Sequence, residues 1–315
     1  MGTPGFAVPS LEALSKQYDI VAVVTQPDRP VGRGRRMAAT PVKLAAQRLG
    51  LRVMQPPTLK DDQVVTQLRA LEPVVIVVVA YGEILRREVL SLPSHRCVNV
   101  HASLLPRYRG AAPIPAAILQ GDRRTGVTVM LVDRAIDSGP ILSQRGEPIH
   151  DDDTTASLGL RLSRVGAELL LETLPLWLSG QIEPRAQDED AVTFAPMISK
   201  SDGLLDWSQT VRELDLRCRA YYPWPGAFTY WGRRRLKVLR AQPAPEKMVD
   251  ARPGTVVRLT DGVGVASGNG VLMLQQIQLA GKRAMSAIEF SRGQRDFVGS
   301  RLGTTKDDGN ESNSD

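Results

Sequence analysis

In the stretch NVHASLLPRYRGAAPI, residues 99–114, an asparagine and a histidine stand two apart at the end of an apolar run. Side chains alternate faces along a strand, so Asn99 and His101 point the same way if the run is extended. A histidine so placed can donate a hydrogen bond to a developing oxyanion or move a proton near neutral pH. An asparagine amide can polarise a carbonyl without titrating. A second segment, VDRAIDSGPIL at 132–142, carries Asp133 and Asp137 ahead of Gly139–Pro140, a pair that forces a bend. A carboxylate turned toward His101 would raise the basicity of the imidazole and fix its orientation. Asp133 reads as a turn former at a strand end. A capping asparagine, a buried and satisfied histidine and a purely structural Asp137 fit the same residue types, so the pattern leaves both readings open.

Little else in the chain competes for chemistry. The only other histidines are His95 and His150. Cys97 and Cys218 are far apart and lack metal-ligand spacing, which predicts two reduced thiols and no metal site. No GxxxxGK occurs, so a phosphate-cradling nucleotide loop is not expected, and Gly32 and Gly34 in VGRGRR make no dinucleotide fingerprint. No apolar run approaches the roughly 20 residues that cross a bilayer. The N-terminus has no basic segment followed by an apolar one, so neither a secretory signal nor a membrane location is expected and the cytoplasm is.

Charge points to a partner. The net charge is +6. Lys and Arg outnumber Asp and Glu by 21 to 17 over residues 1–182 and by 17 to 9 over 200–303, while 183–199 and 304–315 each hold 1 against 4. A basic C-terminal half behind an acidic segment suits a polyanion, nucleic acid first. Two clusters stand out. QPDRPVGRGRRMAATPVK, residues 26–43, sets Arg29, Arg33, Arg35, Arg36 and Lys43 against Asp28 alone, and Arg233–Arg235, Lys237 and Arg240 form the second. Such groups contact phosphates and hold a nucleic-acid backbone in place. Solvated loops would look similar in sequence.

Positioning these residues requires a frame. Strands are predicted over Ile20–Thr25, Val74–Ala80, Cys97–His101 and Val127–Val132, with helices over Ser10–Gln17, Pro41–Leu49, Asp61–Leu71, Pro113–Gln120 and Thr155–Trp177. VVIVVVA, 74–80, is apolar throughout and calls for cover on both faces, as in a parallel sheet between helices. The alternation predicts a doubly wound, mostly parallel, Rossmann-like α/β domain over 1–182. Asn99 and His101 then lie at the C-terminal end of a strand, where open α/β sheets bind ligands. Residues 183–199 follow neither period and read as a linker. Over 200–303, a helix at Thr210–Ala220 precedes short strands at Ala227–Trp231, Arg235–Ala241, Gly254–Leu259, Val263–Ala266 and Val271–Leu279, which predicts a small OB-like β-barrel. Tyr222 and Trp224 read as interdomain packing residues and not as base-stacking platforms. The polar tail 304–315 is expected to be disordered.

Beside these readings, NVHASLLPRYRGAAPI, VVVAYGEIL, VDRAIDSGPIL, TQPDRPVGRGRR, AYYPWPGAF and AGKRAMSA resemble segments of the folate-dependent formyltransferases, in particular members acting on methionyl-tRNA. The resemblance covers residues 2–302. It implies that Asn99, His101 and Asp137 are catalytic and that Ser103, Leu104, Leu105 and Pro106 form the tetrahydrofolate-binding segment. It also implies that Tyr81, Gly82, Ile84 and Leu85 line the pterin pocket. The formyl donor would be 10-formyltetrahydrofolate and the acceptor initiator methionyl-tRNA, with no metal, in a monomer. Arg29, Arg33, Arg35, Arg36 and Lys43, with Arg234, Arg235 and Lys237, would contact the tRNA. A formyltransferase acting on a small amine and a non-catalytic tRNA-binding protein are the rival readings; the arginine loop and barrel argue against the first, the intact Asn–His–Asp set against the second.

Two departures accompany the resemblance. Ala102 stands where many family members carry glycine after the histidine. The chain also opens directly on MGTPGFAVPSLEAL, a turn and helix, whereas such sheets begin with a central strand; its lack is expected to leave a core gap and unpaired neighbours, and the numbered start reads as an internal methionine or a late beginning.

Overall fold

A computed structural model describes residues 1–31, 36–244 and 250–303. The chain forms two compact units. The first comprises Met1–Ala117, Arg123–His150 and Ser157–Met197; the second comprises residues 118–122, 151–156 and those from 198 onward. The 304–315 tail lies outside the described residues.

In the first unit, α1 (Val8–Leu14) is followed by β1 (Val23–Val24), a hairpin of β2 (Arg29–Val31) with β3 (Arg36–Ala38), α2 (Pro41–Arg48), β4 (Val53–Met54), α3 (Asp62–Arg69), β5 (Ile76–Val78), α4 (Arg87–Leu90), β6 (Cys97–His101), α5 (Pro113–Leu119), β7 (Arg124–Leu131), β8 (Ile141–Pro148) and α6 (Thr155–Leu178). Pro41 opens α2 where its missing N–H costs nothing, and the Thr40 hydroxyl caps the Lys43 N–H. Asp61 caps α3 in the same way. No helix among the described residues is long and apolar enough to cross a membrane.

The sheet is mixed and split. β1 pairs in parallel with β4, and β5 in parallel with β6. β6–β7 and β7–β8 are antiparallel ladders, and β8 is an element the sequence reading did not anticipate. Its half-buried, polar run lacks the apolar alternation by which strands are recognised. Between β1 and β5 only two residues form a bridge. Gly2 N–H donates to Val24 O at 3.0 Å, Val79 N–H donates to Met1 O at 2.9 Å, and the Met1 amine donates to Val77 O at 2.6 Å. Behind them opens a cavity of about 450 Å³ lined mainly by apolar side chains, among them Leu11, Leu14, Val21, Val23, Leu68, Val74, Ile76 and Leu174. For this reason the predicted strands 20–25 and 74–80 are laddered only at Val23–Val24 and Ile76–Val78, and Val21 and Val74 stand 43% and 55% exposed. Among the described residues, β1 is laddered to β4 and β5 to β6, each on one side only.

In the second unit, α7 (Val211–Ala220) begins with a capping box between Thr210 and Glu213. There follow β9 (Phe228–Trp231), β10 (Arg234–Pro243), β11 (Val256–Leu259), β12 (Gly262–Ala266), β13 (Val271–Leu279), β14 (Met285–Ser286), α8 (Ala287–Gly293) and β15 (Leu302–Gly303). The strand order is β11-β12-β13-β10-β9-β15, with β14 on β13. The two end strands also meet. Val256 N–H donates to Ser300 O and Gly299 N–H to Val256 O, both at 2.8 Å, beside a Thr255–Arg301 bridge. The curved sheet encloses Leu214, Trp231, Leu236, Val265, Leu272, Ile277, Phe290 and Phe297. Tyr222 and Trp224, in the turn after α7, are 40% and 53% exposed.

Candidate active site

β6 carries the site. Its register pairs Asn99 with Val78 on one side and Met130 on the other, and His101 with Thr128, so the two polar residues leave one face at the strand's C-terminal end. His101 is 6% exposed. Its Nε2 lies 2.9 Å from the Tyr108 carbonyl oxygen. A carbonyl oxygen only accepts, so Nε2 carries hydrogen in this arrangement. Nδ1 faces Asp137 Oδ2 at 3.5 Å. Asp137 Oδ2 also accepts the Gly110 N–H at 2.9 Å. The Asn99 side chain is partly exposed and, among the described residues, makes no hydrogen bond, which leaves its amide open to a ligand.

The loop carrying Asp137 is tightly specified. Asp137 adopts φ +47°, a left-handed conformation that Asp tolerates better than most residues. At Gly139 an added Cβ would collide with the Leu131 carbonyl oxygen, so only glycine lets this loop return against β7. On the other side, Gly110 has φ +118°, and a Cβ there would come within 2.7 Å of Ala195 O. The glycine that offers its N–H to Asp137 is thus fixed by the backbone beside it.

Ser103–Pro106 is braced from below. Thr128 Oγ1 donates to Ser103 O at 2.7 Å and accepts the Leu105 N–H at 3.1 Å, and Gln144 Nε2 donates to Leu105 O at 2.8 Å. Ser103 Oγ donates to Arg107 O at 2.6 Å. Ser103 and Leu105 are buried, and Leu104 and Pro106 are partly exposed. Thr128 and Gln144 escaped the sequence reading, since polar residues on β7 and β8 carry no local sign of what they support. The segment 81–85 is held by Glu83, whose carboxylate accepts Thr58 Oγ1 at 2.6 Å and the Leu59 N–H at 3.0 Å. Here the expected pocket lining divides. Gly82 is exposed at φ +91° and Ile84 is 69% exposed, but Leu85 packs into the core cluster with Val78, Val89 and Cys97. Tyr81 is also in that cluster, its hydroxyl buried without a partner, and burial pushes its pKa up to about 12. Tyr81 and Gly82 also border a cavity of about 390 Å³ with Thr3, Gln26, Arg29 and Thr40.

The basic residues separate likewise. Arg29 is exposed and reaches Gln26 Oε1 at 3.2 Å. Lys43 is paired with Asp28 at 2.6 Å, and hydrogen bonds from Gln55 and then Lys43 hold the Asp28 carboxyl below its usual range. Arg33 and Arg35 lie outside the described residues, as does the Arg36 side chain. In the second unit Arg234 lies 4.5 Å over the Trp231 ring and Arg235 3.5 Å over Phe228, while Lys237 is exposed. Cys97 and Cys218 are buried free thiols, each pushed to about 12 by burial. Among the described residues no three His, Cys, Asp or Glu side chains gather where they could hold a metal.

Residues 2–174 match the formyl transferase family model and residues 197–295 that of the formyl transferase C-terminal domain. The methionyl-tRNA formyltransferase of Roseiflexus sp. strain RS-1 is 49% identical over 305 residues, covering 96% of this chain and 94% of the relative. That of Methylococcus capsulatus is 49% identical over 307 residues, covering 96% and 98%. Among solved structures, a sugar 3N-formyl transferase with dTDP and 5-N-formyl-THF shares the fold at TM-score 0.66 and 18% identity, covering 90% of this chain and 97% of that one. An N-formyltransferase from Helicobacter canadensis shares it at TM-score 0.66 and 18% identity, covering 87% and 97%.

Proposed function

The chain belongs to the formyl transferase family, and from there we propose that it transfers a formyl group from 10-formyltetrahydrofolate to the free amino group of methionyl-tRNA. Relatives carrying that activity in their names match nearly the whole chain at close to half identity. The observation that carries the chemistry is the His101–Asp137 pair beside an unbonded Asn99 amide at the end of β6.

The donor supplies an activated formyl group. Asn99 donates its amide N–H to the formyl oxygen as negative charge grows there, and His101 gives the second hydrogen bond when its Nε2–H leaves the Tyr108 carbonyl. Asp137 holds the imidazole in orientation and, through water, takes the proton from the attacking amine; as the tetrahedral intermediate collapses, the formyl C–N10 bond breaks and the proton returns to N10, which leaves as tetrahydrofolate. Ser103–Pro106 and the 81–85 segment present the edge on which the folate lies. Arg29 on the first unit, and Arg234, Arg235 and Lys237 on the second, contact tRNA phosphates. The Lys43–Asp28 ion pair leaves Lys43 a lesser share. The acceptor is the initiator species, and the enzyme works as a monomer in the cytoplasm.

Formyl transfer from 10-formyltetrahydrofolate, measured with methionyl-tRNA and in parallel with free amino sugars and glycinamide ribonucleotide, tests the reading. Turnover on methionyl-tRNA alone supports it. Equal or faster turnover on the small amines overturns it. Arg234→Gln with Lys237→Gln should weaken tRNA binding and flatten its salt dependence by about 0.7–0.9 in log–log slope per lost phosphate contact. An unchanged slope removes these two residues from the interface.

A further inference from the structure

The segment 187–195 runs beside the site and holds it. Thr193 N–H donates to Pro106 O, Arg109 N–H to Thr193 O and Ala195 N–H to Arg109 O, so this stretch lies against the loop that follows His101. One side chain goes further. Gln187 Nε2 donates to the carbonyl oxygens of Asp137 and Gly139, each at 2.8 Å. Its Oε1 accepts Arg109 Nε at 3.0 Å. Arg109, 5% exposed, spans both carboxylate oxygens of Glu189 at 2.7 and 3.2 Å. The hydrogen bond from Arg109 holds the Glu189 carboxyl below its usual range, so the fork stays charge-paired near neutrality.

These contacts converge on a residue with a left-handed backbone. Asp137 sits in the left-handed region, which costs on the order of 1 kcal/mol and relaxes unless its surroundings hold it. Its carboxylate is held by Gly110 N–H and its backbone by Gln187, and both lead back to the Arg109–Gly110 pair. An amide suits the task. It has two N–H donors for two carbonyls and one acceptor for the guanidinium, and a single orientation satisfies all three.

We propose that Gln187, fixed by Arg109, is a positioning residue for formyl transfer: it keeps Asp137 in the turn that aims its carboxylate at His101 Nδ1. The inference rests on the catalytic reading of Asp137 and His101. Its test uses the full chain with 10-formyltetrahydrofolate and methionyl-tRNA. Gln187→Met keeps length and removes all three hydrogen bonds; Gln187→Glu keeps shape and sets carboxylate oxygens against the two carbonyls. Each is compared with Asp137→Asn and with the double variant Gln187→Met/Asp137→Asn. Expected is a fall in kcat of about 10- to 100-fold for either Gln187 variant, the size of effect that ångström misplacement produces. KM for both substrates should stay within about twofold, and the pH profile of kcat should move. On the Asp137→Asn background the Gln187 substitution should cost less than about threefold, since the residue it positions no longer works. An unimpaired Asp137→Asn would strike the catalytic reading itself. An impaired Asp137→Asn with Gln187 variants of unchanged kcat, or with the same loss on both backgrounds, overturns the positioning role.

Discussion

At the end of β6, Asp137 is held at carboxylate and carbonyl alike, by Gly110, Gln187 and the facing imidazole. In the same unit, β1 and β5 face each other across about 450 Å³ of largely apolar cavity, joined through Met1 and Gly2. The first region is determined by loops that reach across long stretches of sequence. The second depends on strand neighbours and has too few. The site touches that flank through the pairing of Asn99 with Val78 of β5, whereas His101 and Asp137 are held by loops; perturbations of the two regions should therefore largely separate, one changing turnover at near-constant stability, the other stability at near-constant turnover.

The largest expected effect is His101→Ala, which removes the imidazole that Asp137 faces. Turnover should drop by about 10²- to 10⁴-fold with tRNA affinity and melting temperature near those of the parent. Retained turnover would sink the role given to His101. Asp137→Asn comes next. The asparagine oxygen can still accept the Gly110 N–H, but the negative charge facing Nδ1 is gone, and kcat should fall by about 10²-fold. If either substitution lowered the melting temperature as much as the rate, the two regions would not be separable.

This contrast also explains what the sequence made legible. Asn99 and His101 could be found because a period of two is local and the run CVNVH is bounded by turns. Asp137 was suggested by the bend at Gly139–Pro140, and its assignment came from family resemblance. Gln187 and Arg109 were invisible, since their bond spans 78 residues and the segment around Gln187 follows no period. Leu85 packs into the core cluster, and an apolar residue in a binding segment looks the same in sequence whether it faces a ligand or the core. VVIVVVA announced a strand covered on both faces, yet its ladder stops at Ile76–Val78; local pattern gives propensity, and the partner strand decides extent.

The third prediction sharpens the comparison from the other side. Extending the chain ahead of Met1 by five apolar β-branched residues gives β1 and β5 a parallel partner in the register that Gly2 already sets against Val79. Five such side chains gain about 1.5–3 kcal/mol each on burial. Ordering their backbone costs about 1–2 kcal/mol per residue. The net is a few kcal/mol, which corresponds to several degrees in melting temperature for a unit of this size. The kcat should stay within about twofold. Equal melting temperatures would mean that the cavity does not accept a strand.

The smallest effect concerns the amine at the mouth of that cavity. The Met1 α-amino group is enclosed and donates to Val77 O, and burial lowers its pKa from 8.0 to about 6, against a small opposing influence of Cys97. Between those values the unfolded chain binds the proton and the folded chain has shed it. Stability therefore rises with pH from about 6 to about 8 and levels off above, because protonating the buried amine opposes folding. Two pKa units correspond to a ceiling on the order of 2–3 kcal/mol. Cys97, itself raised to about 12, stays neutral through this window and contributes no slope. The measurement is a difference: denaturant unfolding at pH 6 and pH 8 for the free-amine chain and for the same chain acetylated at Met1. The acetylated protein should lose the part of the slope that the free amine contributes and leave kcat at pH 8 unchanged. Identical slopes would show that the amine is solvated in both states, and that the flank is open to water even where Met1 and Gly2 bridge it.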